Sequence, residues 1–233
     1  MKYEILYGNA FPVIRCQLER GESVKAESDA MIAMTGALDV EGSMEGNLLS
    51  GLARKFLAGE KFFFQTIRAN RGPGTVLLGP SSLGGVVDVE LEGNYHLRVQ
   101  KDGFLAATSG ITVETAMQNL MQGFLSREGF FVLDVHGRGT VFLSSFGAIH
   151  AINLGAGEEV VIDNGHLVAW PDYMNYRIEK ASNGWISSIM SGESLVCRFT
   201  GPGVILIQTR KPESFQQWLE GFLPPSRQNR NNS

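Results

Sequence analysis

Apolar residues in this chain fall mostly in short runs that are interrupted by glycine and by polar turn residues. In the stretch RGPGTVLLGP, the β-favouring run over 75–78 stops at Gly79 and Pro80. Comparable runs follow turn residues in QKDGFLAATSG and in IDNGHLVAWP. Short apolar runs bounded by turn residues are typical of β-strands, so the pattern predicts a fold that is mainly β.

Helical spacing occurs in fewer segments. In TVETAMQNLMQGFL, apolar residues recur at the spacing that places them on one face of an α-helix. They are Val113, Ala116, Met117, Leu120, Met121, Phe124 and Leu125. The stretch EGNLLSGLARKFLAG repeats this pattern less regularly, and NGWISSIMSG repeats it in a shorter form. Three short internal helices are therefore predicted.

A further helix is predicted over 212–223, in PESFQQWLEGFL. Pro212 suits the first position of a helix, where its missing N–H costs nothing. The apolar residues that would share one helical face are Phe215, Trp218, Leu219 and Phe222. We expect this face to pack against the β-strands and to act as a clamp at the end of the fold.

A short glycine motif occurs three times, in RGPGTVLL, HGRGTVFL and TGPGVILI. Its glycines are Gly72 and Gly74, Gly137 and Gly139, and Gly201 and Gly203. The copies lie about 65 residues apart, which indicates internal duplication. In two copies proline precedes the second glycine, a pair that favours a type II turn. We interpret the six glycines as structural turns, each pair connecting the two strands of a β-hairpin.

The residues around this motif exclude a phosphate-binding loop. A dinucleotide-binding loop must open a helix, and a P-loop needs Lys followed by Ser or Thr. Here a β-favouring run follows the glycines, and no Lys-Ser or Lys-Thr pair does. The sequence therefore assigns no cofactor to the motif.

Each glycine motif closes a longer unit that is predicted as strand, turn, strand, turn, strand, helix and hairpin. The three units cover approximately 11–80, 85–145 and 147–209. A unit of this size cannot bury its apolar face alone. We predict a single domain over 1–223, in which three tandem β-repeats close around a pseudo-threefold axis and the C-terminal helix follows. The polar segment 224–233 is predicted to be a disordered tail.

The charge and the cysteine content limit the partners and the cellular compartment that we expect for this protein. Charged residues make up 19% of the chain and the net charge is −4, so no overall field attracts nucleic acid or an anionic membrane. Cys16 and Cys197 lack metal-ligand spacing and are interpreted as packed thiols in a reducing cytosol. No signal peptide is evident, and no run approaches the ~20 apolar residues of a membrane span. We expect a cytoplasmic protein.

One local patch is rich in positive charge. It consists of Arg54, Lys55, Lys61, Arg68 and Arg71. Phenylalanines are interleaved with these cations, and basic groups beside aromatic rings can bind single-stranded nucleic acid or an anionic head group. The alternative is a solvated rim around phenylalanines that face the core. We keep this patch as a candidate interaction surface.

The candidates for catalysis are few. None of the four histidines has the spacing of a zinc motif. Asp134 and His136 lie two apart on a predicted strand, share one face, and are the best acid/base or metal-supporting pair; a polar surface is the alternative. Glu60, Glu128 and Glu193 recur at equivalent positions, either as three functional carboxylates or as polar residues at helix-to-strand junctions. We assign no catalytic or metal-binding residue.

The G-P-G-x-V-x-L motifs, the GEKFFFQT segment and the G-x-L-x-A units resemble the bacterial branch of the altered-inheritance-of-mitochondria family. The resemblance covers nearly the whole chain. It implies a fold of repeated β-units similar to that of the tryptophan RNA-binding attenuation protein. The mitochondrial branch is linked to inner-membrane organisation, a setting that does not carry over to a sequence without a transit peptide. The resemblance implies no catalytic residues.

Three functional hypotheses follow. The first is a non-enzymatic scaffold or interaction protein that presents repeat loops to a protein or membrane-associated partner. The second is a module that binds RNA or a small ligand, which rests on fold analogy alone. The third is a hydrolase or isomerase using Asp134, His136 or the repeated glutamates. A protein partner and a homo-oligomer, paired through exposed strand edges, are expected before RNA.

Overall fold

A computed structural model describes residues 1–8, 10–43, 64–117, 131–180 and 195–223. Its strands are β1 Lys2–Leu6, β2 Val13–Leu18, β3 Ser23–Glu27, β4 Met31–Met34, β5 Asp39–Ser43, β6 Phe64–Arg68, β7 Gly74–Leu78, β8 Val86–Glu92, β9 Leu97–Gln100, β10 Phe104–Thr108, β11 Ile111–Met117, β12 Phe131–Ser144, β13 Ile149–Leu154, β14 Glu159–Asp163, β15 Leu167–Pro171, β16 Asn175–Lys180, β17 Leu195–Thr200 and β18 Gly203–Gln208. Single 3-10 turns cover Lys101–Gly103 and Asn164–His166, and the helix α1 covers Pro212–Glu220. The predictions of a mainly β fold and of a C-terminal helix are confirmed.

The strands form three antiparallel sheets. One has the order β1-β2-β7-β4, and a small one has the order β14-β17-β16. The largest has the order β13-β18-β15-β9-β12-β10-β3-β6-β5, with β8 and β11 also paired to β12. The N-terminal half of β12 pairs with β9 and β11, and its C-terminal half pairs mainly with β8 and β10. This 14-residue strand therefore joins four others.

Alternation of side chains across the strands produces three apolar clusters. The first includes Ile14, Leu38 and Phe142, the second Phe104, Leu133 and Val135, and the third Val132, Trp170 and Phe199. Val132 and Leu133 are consecutive on β12, so they point to opposite faces of the sheet and enter different clusters. Burying one large apolar side chain contributes roughly 1.5–3 kcal/mol. The face of β12 that carries Val132 is the face that carries the candidate site.

The internal helix predicted from Val113 onwards is wrong in its first part. Residues 111–117 form β11, which pairs antiparallel with β12 along its whole length. Ile111 and Val113 are buried while Thr112 and Glu114 are exposed, which is the two-residue period of a strand. The β-branched side chains at 111–113 favour an extended backbone. The rest of this prediction and the two other internal helices lie outside the described residues.

The hairpin interpretation of the glycine motif is also wrong. Strand β6 pairs with β3 and β5, whereas β7 pairs with β2 and β4; β17 and β18 likewise take different partners. At the second copy β12 runs continuously through Gly137 and Gly139. The motif therefore lies where the chain passes from one set of partner strands to another. Within it, Gly137 has a φ of 117°, a left-handed backbone conformation that glycine permits.

Helix α1 does not act as the predicted clamp. No residue of the helix is buried. Phe215 touches Phe146 with ring centroids 5.4 Å apart, and the other apolar residues of the same face are exposed. Within the described ranges, the chain forms no helix with the length and apolarity needed to cross a membrane.

Candidate functional site

Four polar side chains meet beside the third apolar cluster, on the strands β9 and β12. Asp134 and His136 are two residues apart on β12 and therefore share a face. Antiparallel register places Arg98 directly opposite Asp134. His96 immediately precedes β9, and its ring reaches the same carboxylate. We call His96, Arg98, Asp134 and His136 the histidine–aspartate cluster.

The Asp134 carboxylate is the centre of this cluster. Arg98 donates from Nη1 to Oδ2 of Asp134 over 2.6 Å. The Nδ1 atom of His96 lies 2.8 Å from Oδ1 of Asp134, and the Nδ1 atom of His136 lies 3.8 Å from the same oxygen. The two imidazole rings are stacked, with centroids 4.5 Å apart and an interplanar angle of 15°. One carboxylate oxygen thus faces both histidines while the other is bound by arginine.

Partial burial strengthens these interactions. The side chains of Asp134 and Arg98 are 18% and 22% exposed, so their charge-assisted hydrogen bond is only partly screened by water. The Nδ1 atom of His136 is buried and has no hydrogen-bond partner among the residues that the structure describes. A buried polar atom without a partner is uncommon and requires an explanation. The His96 ring, 45% exposed, forms the solvent side of the cluster.

Asp172, the residue that follows β15, fixes the backbone of His96. The His96 N–H donates to Oδ1 of Asp172 over 3.0 Å, and the Asp172 N–H donates to the His96 carbonyl over 2.8 Å. Arg98 lies opposite Trp170 in the register of β9 and β15. Trp170 is fully buried and packs edge-on against Tyr176, where burial raises the pKa of the Tyr176 phenol to about 12. The cluster therefore rests on a rigid aromatic core.

Sequence spacing identified only half of this cluster. Asp134 and His136 do share a face, as their separation by two residues predicts. His96 and Arg98 come from a different segment of the chain, and only the pairing of β9 with β12 brings them to Asp134. Their alternation in NYHLRV was the one local signal that could have placed both on a common strand face.

The predicted basic patch is only partly described. Arg68 lies on β6 opposite Asp39, and Arg71 binds the Asp39 carboxylate over 2.8 Å and donates to the Leu38 carbonyl over 2.9 Å. The charge of Arg71 is therefore partly neutralised within the fold. The other members of the patch and the repeated glutamates lie outside the described residues: Arg54, Lys55, Lys61, Glu60, Glu128 and Glu193.

A second candidate surface is the aromatic face of α1. Trp218 and Phe222 are 60% and 69% exposed, and Leu219 is 42% exposed. Phe215 stacks on Trp218 with centroids 5.7 Å apart, and Trp218 contacts Phe222 edge-on at 4.9 Å. The three aromatic rings pack on one another and leave one side to solvent. We call Phe215, Trp218, Leu219 and Phe222 the helix face.

The loop between β1 and β2 exposes two more aromatic rings. Tyr7 and Phe11 are each 71% exposed. Both have left-handed backbones, with φ of 58° and 53°, a conformation that is unfavourable for bulky residues and concentrates at functional sites. With Gly8 and Ala10 they line an open apolar depression.

The fold and these surfaces define a mainly β protein that carries a polar cluster on two interior strands of its largest sheet and exposed aromatic groups elsewhere. Residues 3–210 match the family described as mitochondrial biogenesis AIM24, so the chain belongs to that family. The resemblance predicted from the sequence is confirmed.

Two bacterial proteins are similar to the chain over nearly its whole length. An uncharacterised protein of Streptococcus pyogenes serotype M6 is 33% identical over 97% of this chain and 92% of its own. A Streptococcus pyogenes protein solved by X-ray crystallography in a structural genomics programme is 32% identical. It superposes with a TM-score of 0.77 over 95% of this chain and 99% of that one. The fold described above is thus similar to an experimentally determined one.

Proposed function

We propose that this protein is a non-enzymatic interaction protein of the cytosol, in which a rigid β body presents apolar surfaces to a protein partner. The observation that carries the proposal is the exposure of the helix face, whose central residue Trp218 is 60% exposed. Contiguous exposed apolar surface on a soluble protein marks an interaction site. Tryptophan and other aromatic residues also dominate the binding energy of protein interfaces.

The charges around the helix face favour a protein over an anionic membrane. Helices that bind anionic lipid carry Lys and Arg on the polar side, whereas α1 carries Glu213 and Glu220. Lys211, which precedes the helix, is bound to Asp163 over 2.9 Å. This composition suits an amphipathic helix that binds in an apolar groove of a partner protein.

We further propose that the rigid body consists of three tandem repeats around a pseudo-threefold axis, within one domain over 1–223. The support is that one pairing pattern recurs: β7 lies between β2 and β4, the C-terminal half of β12 between β8 and β10, and β18 between β13 and β15. A second pattern places β6 between β3 and β5, the N-terminal half of β12 between β9 and β11, and β17 between β14 and β16. Each repeat would hold its loops in a fixed position.

The cytosolic setting is supported by the two cysteines. Cys16 lies in the first apolar cluster and Cys197 in the third, and neither forms a disulfide. Burial raises the pKa of each thiol to about 12. Two separate, unreactive thiols suit a reducing compartment and do not form the framework of a secreted protein.

Affinity capture from the native cytosol tests the proposal. The baits are the wild-type protein, the double variant Trp218→Ala/Phe222→Ala and the control Gln217→Ala, each used at low and at moderate salt. We expect a defined protein that is retained at moderate salt by the wild type and the control and is lost with the double variant. Identical captured proteins for all three baits would contradict a role for the helix face.

Two further readouts separate the alternatives. Light scattering of the purified protein reports whether the helix face holds a second copy, because the double variant would then have a lower mass than the wild type. Sequencing of the captured RNA tests the second hypothesis. A defined RNA that survives moderate salt would replace the interaction-protein proposal, since purely electrostatic RNA binding weakens steeply with salt.

A further inference from the structure

We propose that His96, Asp134 and His136 together bind one divalent transition-metal ion of the zinc class. This site is independent of the helix face. The three residues supply two imidazole nitrogens and one carboxylate oxygen, and one donor atom from each lies within 4.8 Å of the others. Imidazole selects Zn²⁺, Co²⁺, Ni²⁺ and Cu²⁺, whereas Mg²⁺ and Ca²⁺ prefer sites built from oxygen.

The distances fit an ion of this class after small rotations of the side chains. Zinc–nitrogen and zinc–oxygen bonds of about 2.1 Å in tetrahedral geometry separate neighbouring donor atoms by about 3.4 Å. The Asp134 Oδ1 atom lies 2.8 Å from Nδ1 of His96 and 3.8 Å from Nδ1 of His136. These two separations bracket the required value, so small side-chain rotations can bring each nitrogen to the required distance from Oδ1 of Asp134.

A second observation points to the same ligand. The Nδ1 atom of His136 faces Asp134 and is buried, and no atom within the described part of the chain hydrogen-bonds to it. Native structures pair nearly all such atoms. A cation held between His136, Asp134 and His96 would use the free electron pair of this nitrogen.

The surroundings orient the donor atoms. Arg98 binds the Oδ2 atom of Asp134 over 2.6 Å and leaves Oδ1 to face the two imidazoles. Asp172 fixes the His96 backbone through two hydrogen bonds. Outer-shell partners of this kind position ligands at metal sites. Because Arg98 also carries a positive charge, it makes Asp134 a one-oxygen ligand and reduces the affinity for the cation.

Titration calorimetry of the tag-free full-length protein with ZnCl₂ tests the site. The variants are His96→Ala and His136→Ala, and the matched control is His150→Ala, which removes an exposed histidine from β13. We expect one Zn²⁺ per chain for the wild type and the control, and affinity lower by at least about tenfold for each ligand variant. Failure of the wild type to bind Zn²⁺, or equal affinity in all four proteins, would overturn the proposal.

A conservative variant and two further measurements distinguish the loss of a ligand from misfolding. The variant Asp134→Asn keeps the size of the ligand and removes its charge, and it is also expected to bind Zn²⁺ at least about tenfold more weakly. Thermal unfolding without metal checks that each variant is folded. Titration with Co²⁺ then gives visible absorption bands that report nitrogen and oxygen ligands around the ion. An unchanged spectrum in His136→Ala would exclude that residue as a ligand.

Discussion

Arg98 and Asp134 lie directly opposite each other on neighbouring strands and are joined by a 2.6 Å charge-assisted hydrogen bond. Both side chains are largely withdrawn from water. Removing either side chain leaves the charge of the other one largely buried and with fewer partners. The free-energy cost of that unpaired charge is larger than the net stabilisation by the intact pair. The contribution of this pair to the stability of the protein can therefore be measured by replacing Arg98.

We predict that Arg98→Met lowers the free energy of unfolding by about 1.5–3 kcal/mol. The matched control is Arg177→Met, because Arg177 also binds carboxylates but is 66% exposed. An exposed pair of this kind contributes at most about 1 kcal/mol. Urea unfolding of both variants checks the prediction, and equal losses would contradict it.

Truncation of the tryptophan on α1 should affect stability much less than truncation of the tryptophan on β15. Trp170 is fully buried among aromatic rings, so Trp170→Ala should cost about 3–5 kcal/mol. Trp218 is 60% exposed, and Trp218→Ala should change stability by less than about 1 kcal/mol. Denaturant unfolding measures both losses. A large loss for Trp218→Ala would mean that the helix supports the fold after all.

Glycines of the repeated motif should differ in their tolerance of a side chain. A Cβ atom on Gly137 would overlap the Gly110 carbonyl oxygen, and the backbone there has φ of 117°. Gly137→Ala should therefore destabilise by more than about 1 kcal/mol. The control Gly72→Ala meets only the Ala37 methyl group at 3.9 Å and should be close to neutral. Thermal unfolding compares the two, and similar midpoints would refute the steric argument.

Glu27 should make stability depend on pH. Burial, with Asp29 and Asp102 nearby, raises the pKa of its carboxyl group from 4.5 to about 7. The folded state therefore binds this proton more tightly than the unfolded state does. The resulting stabilisation is present below pH 4.5 and is lost as pH rises through about 7.

Unfolding free energies at pH 5 and pH 8 test this expectation. The variant Glu27→Gln removes the titrating group, so it should gain stability relative to the wild type as the pH increases. Glu179→Gln provides a control whose difference from the wild type should change little between the two pH values. Hydrogen bonds from Arg198 and Arg177 lower the pKa of Glu179 from 4.5, so this carboxyl group is largely ionised at both pH values in the folded and the unfolded state. A constant difference between Glu27→Gln and the wild type at both pH values would contradict the prediction.

Local patterns in the sequence predicted strand content well and pairing poorly. The alternation in β2, VIRCQL, is a local property and appears in the burial of its side chains. The spacing of Val113, Ala116 and Met117 fits a helix as well as a strand. These residues form a strand because the segment pairs with β12. The glycine motif predicted hairpins, but the strands beside it take partners from more distant parts of the chain.

The candidate site was harder to predict for the same reason. Two-residue spacing placed Asp134 and His136 on one face, since that depends on the strand alone. The neighbours His96 and Arg98 depend on the register between β9 and β12, which arises from packing on both faces of the sheet. The exposure of the helix face was also not predictable from the sequence. Amphipathic spacing identifies an apolar face, but it does not show whether the rest of the fold covers that face.

The four partners of β12 also impose an order on folding. Strands β8, β9, β10 and β11 are all synthesised before their common partner Phe131–Ser144. Until then each lacks the edge on which it will pair, and unpaired edges of nascent chains are open to aggregation. The addition of β12 covers the edges that face it and brings Asp134 to His96. Assembly of the histidine–aspartate cluster therefore has to wait for β12, while β13, β15 and β18 of the same sheet are synthesised later still.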